Sequence, residues 1–329
     1  MLYIQKDQKV KKISRFFYVT QDKKLRQINT LYSQKNGAIT TVNLQNNLPV
    51  LGQEGELYQK GLIVLEGYGL LFDKPGNYTF TIPDGIKTIH IVAIGAGGSG
   101  GRKDGYASGG GGGGLAAIIN TPITQSEALT ITVGKGGAGS TIDTDGEAGE
   151  GSSIEDYITA TGGKGGKQNG ASIENGGMGT IIKKIKLPAT SITGVGGNGG
   201  GESSNTGLYD GGGGGGAAGY GGKGGNGGGE QQISGQQGES GGGGGGGSAG
   251  NNGVGGKGGG TGPFGKGDGG VGGVSTDDHA AKGQPGSVHA SYLTKFYGGG
   301  GGGAGAPANT EDAQGGAVLI CWGKPLKLQ

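Results

Sequence analysis

The chain has 329 residues, of which 91 are glycine, nine proline and one cysteine, with a formal net charge of +2. So little proline without a strict G-X-Y period excludes collagen, and a lone cysteine excludes an internal disulfide. Glycine fills 82 of the 222 residues from 95 to 316, which argues against an ordinary α/β enzyme, because each glycine costs a helix about 1 kcal/mol relative to alanine.

Residues 1–43 hold nine basic residues and two acids, a local net of +7, whereas the rest of the chain nets −5. A 15-residue repeat runs through this basic part. Val10-Lys11-Lys12-Ile13 aligns with Leu25-Arg26-Gln27-Ile28, Phe16-Phe17 with Leu31-Tyr32, and Asp22 with Gly37. Each unit reads as a short strand, an aromatic pair and a turn, so a small N-terminal β-meander is expected. Two units bury little core, which implies packing against further copies or a docking partner. Lys11, Lys12, Arg15, Phe16, Phe17, Arg26 and Tyr32 are the candidate docking residues. The cations alternate along strands instead of forming a dense block, as on a docking face, and no nucleic-acid partner is expected.

Residues 44–66, with Pro49, Gly52 and Gly55, read as a connector carrying one short strand at Leu62–Leu65. No apolar stretch follows the basic N-terminus, so no secretory signal is expected. The apolar run from Gly61 to Phe72 is broken by Glu66 and is too short to span a bilayer. No membrane insertion is expected.

The third region, 67–329, opens with alternation: Tyr78, Phe80 and Ile82 on one face and threonines on the other, a half-buried strand turned by Pro83-Asp84-Gly85. Ile86–Ile94 returns as a second strand, Ala128–Val133 is a third, and Ala317–Trp322 closes the chain. Strands at both ends of the glycine tract tether it and lower its entropy, which weighs against a disordered linker.

Glycine runs of six or seven stand at Gly109–Gly114, Gly211–Gly216, Gly241–Gly247 and Gly298–Gly303, and between them glycine recurs in loose triplets, as around Lys223 and Asn226. Three residues per turn is the polyproline II period, in a helix with no internal hydrogen bonds. Lateral N–H···O=C bonds between polyglycine II helices, closely packed because no Cβ intervenes, would satisfy the backbone. Each such run would be roughly 19–22 Å long. The expected fold is all-β: a β-sandwich frame enclosing or extended by a polyglycine II array. Loops would then display the side chains, with Tyr106, Tyr209, Tyr220, Phe264, Tyr292, Phe296 and Tyr297 as candidate receptor-contact residues.

Several motifs mislead. Gly95 to Gly100 fits G-x-G-x-x-G after a strand, but no helix can follow it. Gly238 to Gly242 fits G-x-S-x-G and runs into seven glycines instead of a helix. His90, His279 and His289 have no ligand spacing, Asp277-Asp278-His279 reads as a solvated loop, and Cys321 as a buried thiol. No cofactor, metal site or catalytic constellation is expected.

The ordered series Pro83-Asp84-Gly85, Ile89-x-Ile91-x-Ala93-x-Gly95-Ala96-Gly97-Gly98, Ile131-Thr132-Val133-Gly134-Lys135-Gly136-Gly137, Gly151-Ser152-Ser153, Thr161-Gly162-Gly163-Lys164 and Gly315 to Trp322 resembles the glycine-rich domain of bacteriophage tail-fibre and tail-tip proteins over about residues 68–323. The resemblance implies a virion protein, extracellular when it acts, with tail or baseplate proteins and a host surface protein or saccharide as partners, and a homo-oligomer for which a trimer suits a fibre. Relative to short members, the chain has an extra glycine tract at about 170–290. A glycine-rich ice-binding or matrix protein is the alternative. It would want regularly spaced Thr or Ala, whereas residues 190–306 carry mixed Lys, Asn, Glu, Gln and Tyr.

Overall fold

The computed structural model describes residues 69–322 except 83–85, 104–106, 124–127, 170–174, 183–189, 202–210, 230–232, 250–252, 264–267, 276–279, 287–295 and 306–308, together with the backbone of seven strands between residues 2 and 65. Near the N-terminus β1 (Leu2–Lys6) pairs with β2 (Lys9–Ile13), β3 (Tyr18–Val19) with β4 (Leu25–Arg26), and β5 (Leu31–Lys35) with β6 (Ala38–Val42). These are three antiparallel hairpins, where the sequence reading counted two units. They begin alike, with Tyr3, Tyr18 and Tyr32 each at or next to the start of a first strand.

The main body is all-β, with no helix among the described residues, and its two large sheets are antiparallel. The first has the order β17-β12-β10-β19-β8-β7, formed by Thr190–Gly194, Leu115–Pro122, Thr88–Ile94, Ala317–Cys321, Gly69–Phe72 and Leu62–Leu65. The second is β16-β15-β14-β13-β9, formed by Gly179–Ile181, Ile158–Ala160, Ser152–Ile154, Ala128–Val133 and Gly76–Thr81. The two sheets face each other in a sandwich-like arrangement. Leu70, Phe72, Ile89, Ile91, Ile118, Val318 and Ile320 from the first pack on Phe80, Leu129, Ile131, Ile154, Tyr157 and Ile158 from the second.

β9 and β13 alternate, with Phe80, Leu129, Ile131 and Val133 inward and Thr79 and Thr130 outward, as a sheet with one wet face must. β10 and β19 are instead buried almost throughout. Their second face, with Val92, Ile94, Leu319 and Cys321, packs with Leu71, Leu115, Ala218, Tyr220 and Tyr297 in a separate core. Burial pushes the Cys321 thiol up to about 12, which leaves it protonated. β10 and β19 are neighbours, His90 facing Cys321 and Ile94 facing Ala317. The glycine tract therefore leaves and rejoins one sheet on adjacent strands.

The β10–β12 register slips between Ile89 and Ile91, and Asn120 opposite takes a left-handed φ of 59°. The buried His90 accepts the Asn120 N–H at Nδ1, 3.1 Å away. Burial lowers the His90 pKa below its ordinary 6.5. The folded state thus binds fewer protons than the unfolded chain, so this contribution is complete above about pH 6.5 and is lost as pH falls below it. Thermal melts should show the midpoint of the wild type dropping between pH 7 and pH 5 more than that of His90→Gln, whose side-chain oxygen accepts the same N–H without titrating. Equal drops would remove His90 from the account.

Candidate functional site

Between the strands the glycine runs lie side by side and bond laterally. Run 109–114 shows the rule. Its N–H groups go in turn to three neighbours: Gly109 and Gly112 to Gly200 and Gly197, Gly110 and Gly113 to Gly301 and Gly298, and Gly111 and Gly114 to Lys164 and Thr161, at 2.7–3.0 Å. Its carbonyls accept from three more, at Gly98 and Gly95, at Gly215 and Ala218, and at Gly177. Each neighbour is met every third residue, so one run is enclosed by six others.

Runs 95–101, 211–218 and 242–249 are enclosed in the same way. Apart from Ala96, Ser99, Ala217, Ala218, Ser248 and Ala249, these enclosed stretches are glycine, and a Cβ at Gly112 would stand on the carbonyl oxygen of Gly216. The surrounding runs carry a larger residue every third position: Thr161, Lys164 and Lys167; Val195 and Asn198; Lys223 and Asn226; Val254 and Lys257; Val271 and Val274. Unbroken glycine thus marks the interior and G-G-X the rim. In Gly95–Gly100, the N–H groups of Gly95, Ala96, Gly97, Gly98 and Ser99 all donate to carbonyls of neighbouring runs, which accounts for the glycines of the dinucleotide-like motif by packing.

Rim N–H groups that point out of the array are capped by side chains. On one side the caps are carboxylates: Glu150 takes the Lys135 N–H at 3.0 Å, Glu147 that of Ala138 at 3.2 Å, and Asp312 that of Gly139 at 2.8 Å. On another side two of the caps are amides, Asn198 Oδ1 taking the Gly176 N–H at 3.3 Å and Asn226 Oδ1 that of Asn198 at 2.9 Å, with Glu239 Oε2 on the Lys223 N–H at 3.3 Å. Glu311 bonds Lys257 at 2.8 Å and Lys282 at 3.3 Å along a groove of about 140 Å³ floored by Gly302. The bond to Lys257 holds its carboxyl below the usual range.

The runs have a sandwich end and a far end. Gly95 and Gly114, which adjoin β10 and β12, bond to each other, as Gly101 and Ser108 do at the opposite end. At the far end β11 (Arg102–Lys103) lies parallel to β18 (Ala304–Gly305), and Ala107 bridges to Gly211 and Gly211 to Ala249. Arg102 pairs with Asp143 at 2.6 Å and Lys167 with Asp145 at 2.9 Å. The Gln168 N–H, first, and Lys167 hold the Asp145 carboxyl low.

The sequence model of one family, described as a glycine-rich domain, matches residues 73–293. The chain belongs to that family. None of the curated proteins matches it. The match to the glycine-rich domain starts just after β8 and ends before β19, so three neighbouring strands of the first sheet, β19, β8 and β7, lie outside it.

Two of the aromatic candidates are core residues. Tyr220, 4 % exposed, and Tyr297, 5 % exposed, sit at the sandwich end against the first sheet. This corrects the expectation that they project as loop contacts: Gly221 with a φ of 80° and Gly298 with a φ of 82° turn the chain beside each and fold the ring onto the strands. Burial, with the Asp73 carboxylate adding to it, pushes the Tyr297 phenol far up. Phe296 is half-buried beside it. Tyr106, Tyr209, Phe264 and Tyr292 lie outside the described residues, as do Arg15, Phe16 and Phe17. Lys11 and Lys12 fall in β2, Arg26 in β4 and Tyr32 in β5, all described by backbone only.

Among the described residues no three His, Cys, Asp or Glu side chains are grouped to hold a metal, and no helix is long and apolar enough to cross a membrane. The side-chain grouping that the sequence reading missed is the amide row Asn198, Asn226 and Gln236. The signal for Asn198 and Asn226 was the G-G-X triplet, which Gln236, in Ser234-Gly235-Gln236, lacks.

Proposed function

We propose that the chain is a structural and adhesive component of a bacteriophage tail, attached through residues 1–43 and presenting the far end of its glycine array to the host surface. In this reading the runs are polyglycine II helices, the protein is a trimer in the virion, its partners are tail or baseplate proteins and a host surface molecule, and it performs no catalysis. The observation that carries it is geometric: lateral bonding repeats every three residues, so the array is stiff along its runs, and the runs joined to β10 and β12 reach from the sandwich to a far end where they meet again. A stiff body with grouped chain connections at one end suits recognition at a distance from its anchor. The ordered motif series from Pro83 to Trp322 supports the tail assignment. Immunogold electron microscopy of phage particles from the source culture, using antibody to the full chain, should label the tail, and light scattering of the purified chain should give the mass of three copies. Label absent from particles would overturn the tail assignment, and a monomer at micromolar concentration would overturn the trimer.

A further inference from the structure

We propose that the flat rim face carrying Asn198, Asn226 and Gln236 binds a glycan through its N-acetyl groups. This deepens the adhesive reading and rests on it. The runs 175–178, 195–201, 223–229 and 233–238 bond one to the next along one side of the array, and their amides form a row across it. Backbone N–H groups fix the orientation of that row. Asn198 Oδ1 accepts from Gly176 N–H and Asn226 Oδ1 from Asn198 N–H, so both NH2 groups must turn the other way. Asn226 Nδ2 then donates to Gln236 Oε1 at 2.9 Å, which leaves the Gln236 NH2 as the end of the chain of bonds.

Every amide oxygen of the row is therefore occupied, and among the described residues no acceptor takes the NH2 of Asn198 or Gln236. The capping task alone does not require this, since carboxylates cap Lys135, Ala138 and Gly139 on the other side. The outward NH2 groups are donors in want of an acceptor, which a carbonyl oxygen supplies. Beside the row, one three-residue step nearer the sandwich, are the exposed Val195 and Met178. Lys223 and Glu239 lie on the same side, with Glu239 Oε2 on the Lys223 N–H. The flank thus offers methyl-sized apolar surface and a balanced pair of charges. An acetamido group, with its carbonyl oxygen and methyl, complements both the donors and the apolar flank.

The test uses the full chain and saturation-transfer NMR with N-acetylglucosamine and N-acetylgalactosamine oligosaccharides, each against its counterpart bearing a hydroxyl in place of the acetamido group. Binding is expected for the acetylated sugars alone, with transfer to the methyl. Asn198→Asp keeps an oxygen on the Gly176 N–H and Gln236→Glu keeps one on Asn226 Nδ2, while each removes an outward NH2. Each should weaken binding about tenfold, the worth of one such hydrogen bond, without lowering the melting temperature; Gln236→Glu, at the end of the row, serves if Asn198→Asp unfolds. Binding to neither class, equal binding to both, or undiminished binding by the folded variants would overturn the proposal. Labelled phage tails with no sugar binding would sink the ligand class and leave the tail assignment standing.

Discussion

Replacing Gly112 with alanine should cost about 3 kcal/mol or more of folding stability, whereas the same change at Gly315 should cost almost nothing. Gly112 lies in an enclosed run. A Cβ there would meet the carbonyl of Gly216, which accepts the Gly197 N–H at 2.7 Å, while Gly112 itself donates to the Gly197 carbonyl at 2.9 Å. The methyl has nowhere to go, because the obstructing atoms are backbone held by other runs. Pushing them apart costs roughly 1–3 kcal/mol of overpacking, and each lateral hydrogen bond lost adds about 1 kcal/mol, more if a buried group is left unpaired. At Gly315 the nearest atom to an added Cβ is the Gly134 carbonyl oxygen at 3.8 Å, an ordinary contact. There the reduced freedom of the unfolded chain offsets any strain, by about 0.4–1 kcal/mol. Denaturant titration of the two variants beside wild type measures the difference. Equal stabilities would mean that the array does not hold its runs at close spacing.

Ile91→Ala and Leu319→Ala should each lose about 2–5 kcal/mol, although they stand on opposite faces of the same sheet. Ile91 is fully buried between the two sheets and Leu319 fully buried against Ala218, Tyr220 and Tyr297. Truncating either leaves a cavity in a site whose backbone is clamped by strands on both sides. Thr130→Ala, on the open face of β13, is the matched control and should stay within about 0.5 kcal/mol of wild type. The second face of the first sheet is covered by the glycine array itself. Leu319→Ala should therefore loosen the array as well as the sandwich, and hydrogen exchange should quicken at Ala217 and Ala218 in that variant more than in Ile91→Ala. Exchange unchanged by Leu319→Ala would separate the array from the sandwich as folding units.

How legible the protein was depended on the size of the local signal. Strong alternation identified Gly76–Thr81 as a strand, and the β-rich runs that became β10, β13 and β19 were recognised, though not that both faces of β10 and β19 are covered. The strand Leu115–Pro122 was not read, because Ala116 and Ala117 have little β propensity and acquire it only by lying between β10 and β17. Ser152–Ile154, Ile158–Ala160 and Gly179–Ile181 have three residues each, too few to show a period, and their neighbours in the sheet decide them. Tyr220 and Tyr297 could not be told from surface aromatics. Turn glycines flank both kinds, and only the position of the sheet shows which way each ring folds.

Composition by itself determined that the chain would pack backbone on backbone. A tract that is more than a third glycine cannot make helices or a large apolar core, and strands at both of its ends keep it from behaving as a free linker. It also marked the unbroken glycine runs as distinct from the G-G-X triplets. Which runs are enclosed was a matter of tertiary structure, since a hydrogen bond from Gly112 to Gly197 or from Gly110 to Gly301 joins residues that carry no mutual signal in sequence. Glycine has no side chain with which to specify a partner. Its neighbours are chosen by the strands that anchor each run and by the side chains at the rim, and only the folded arrangement brings Asn198, Asn226 and Gln236 into one row.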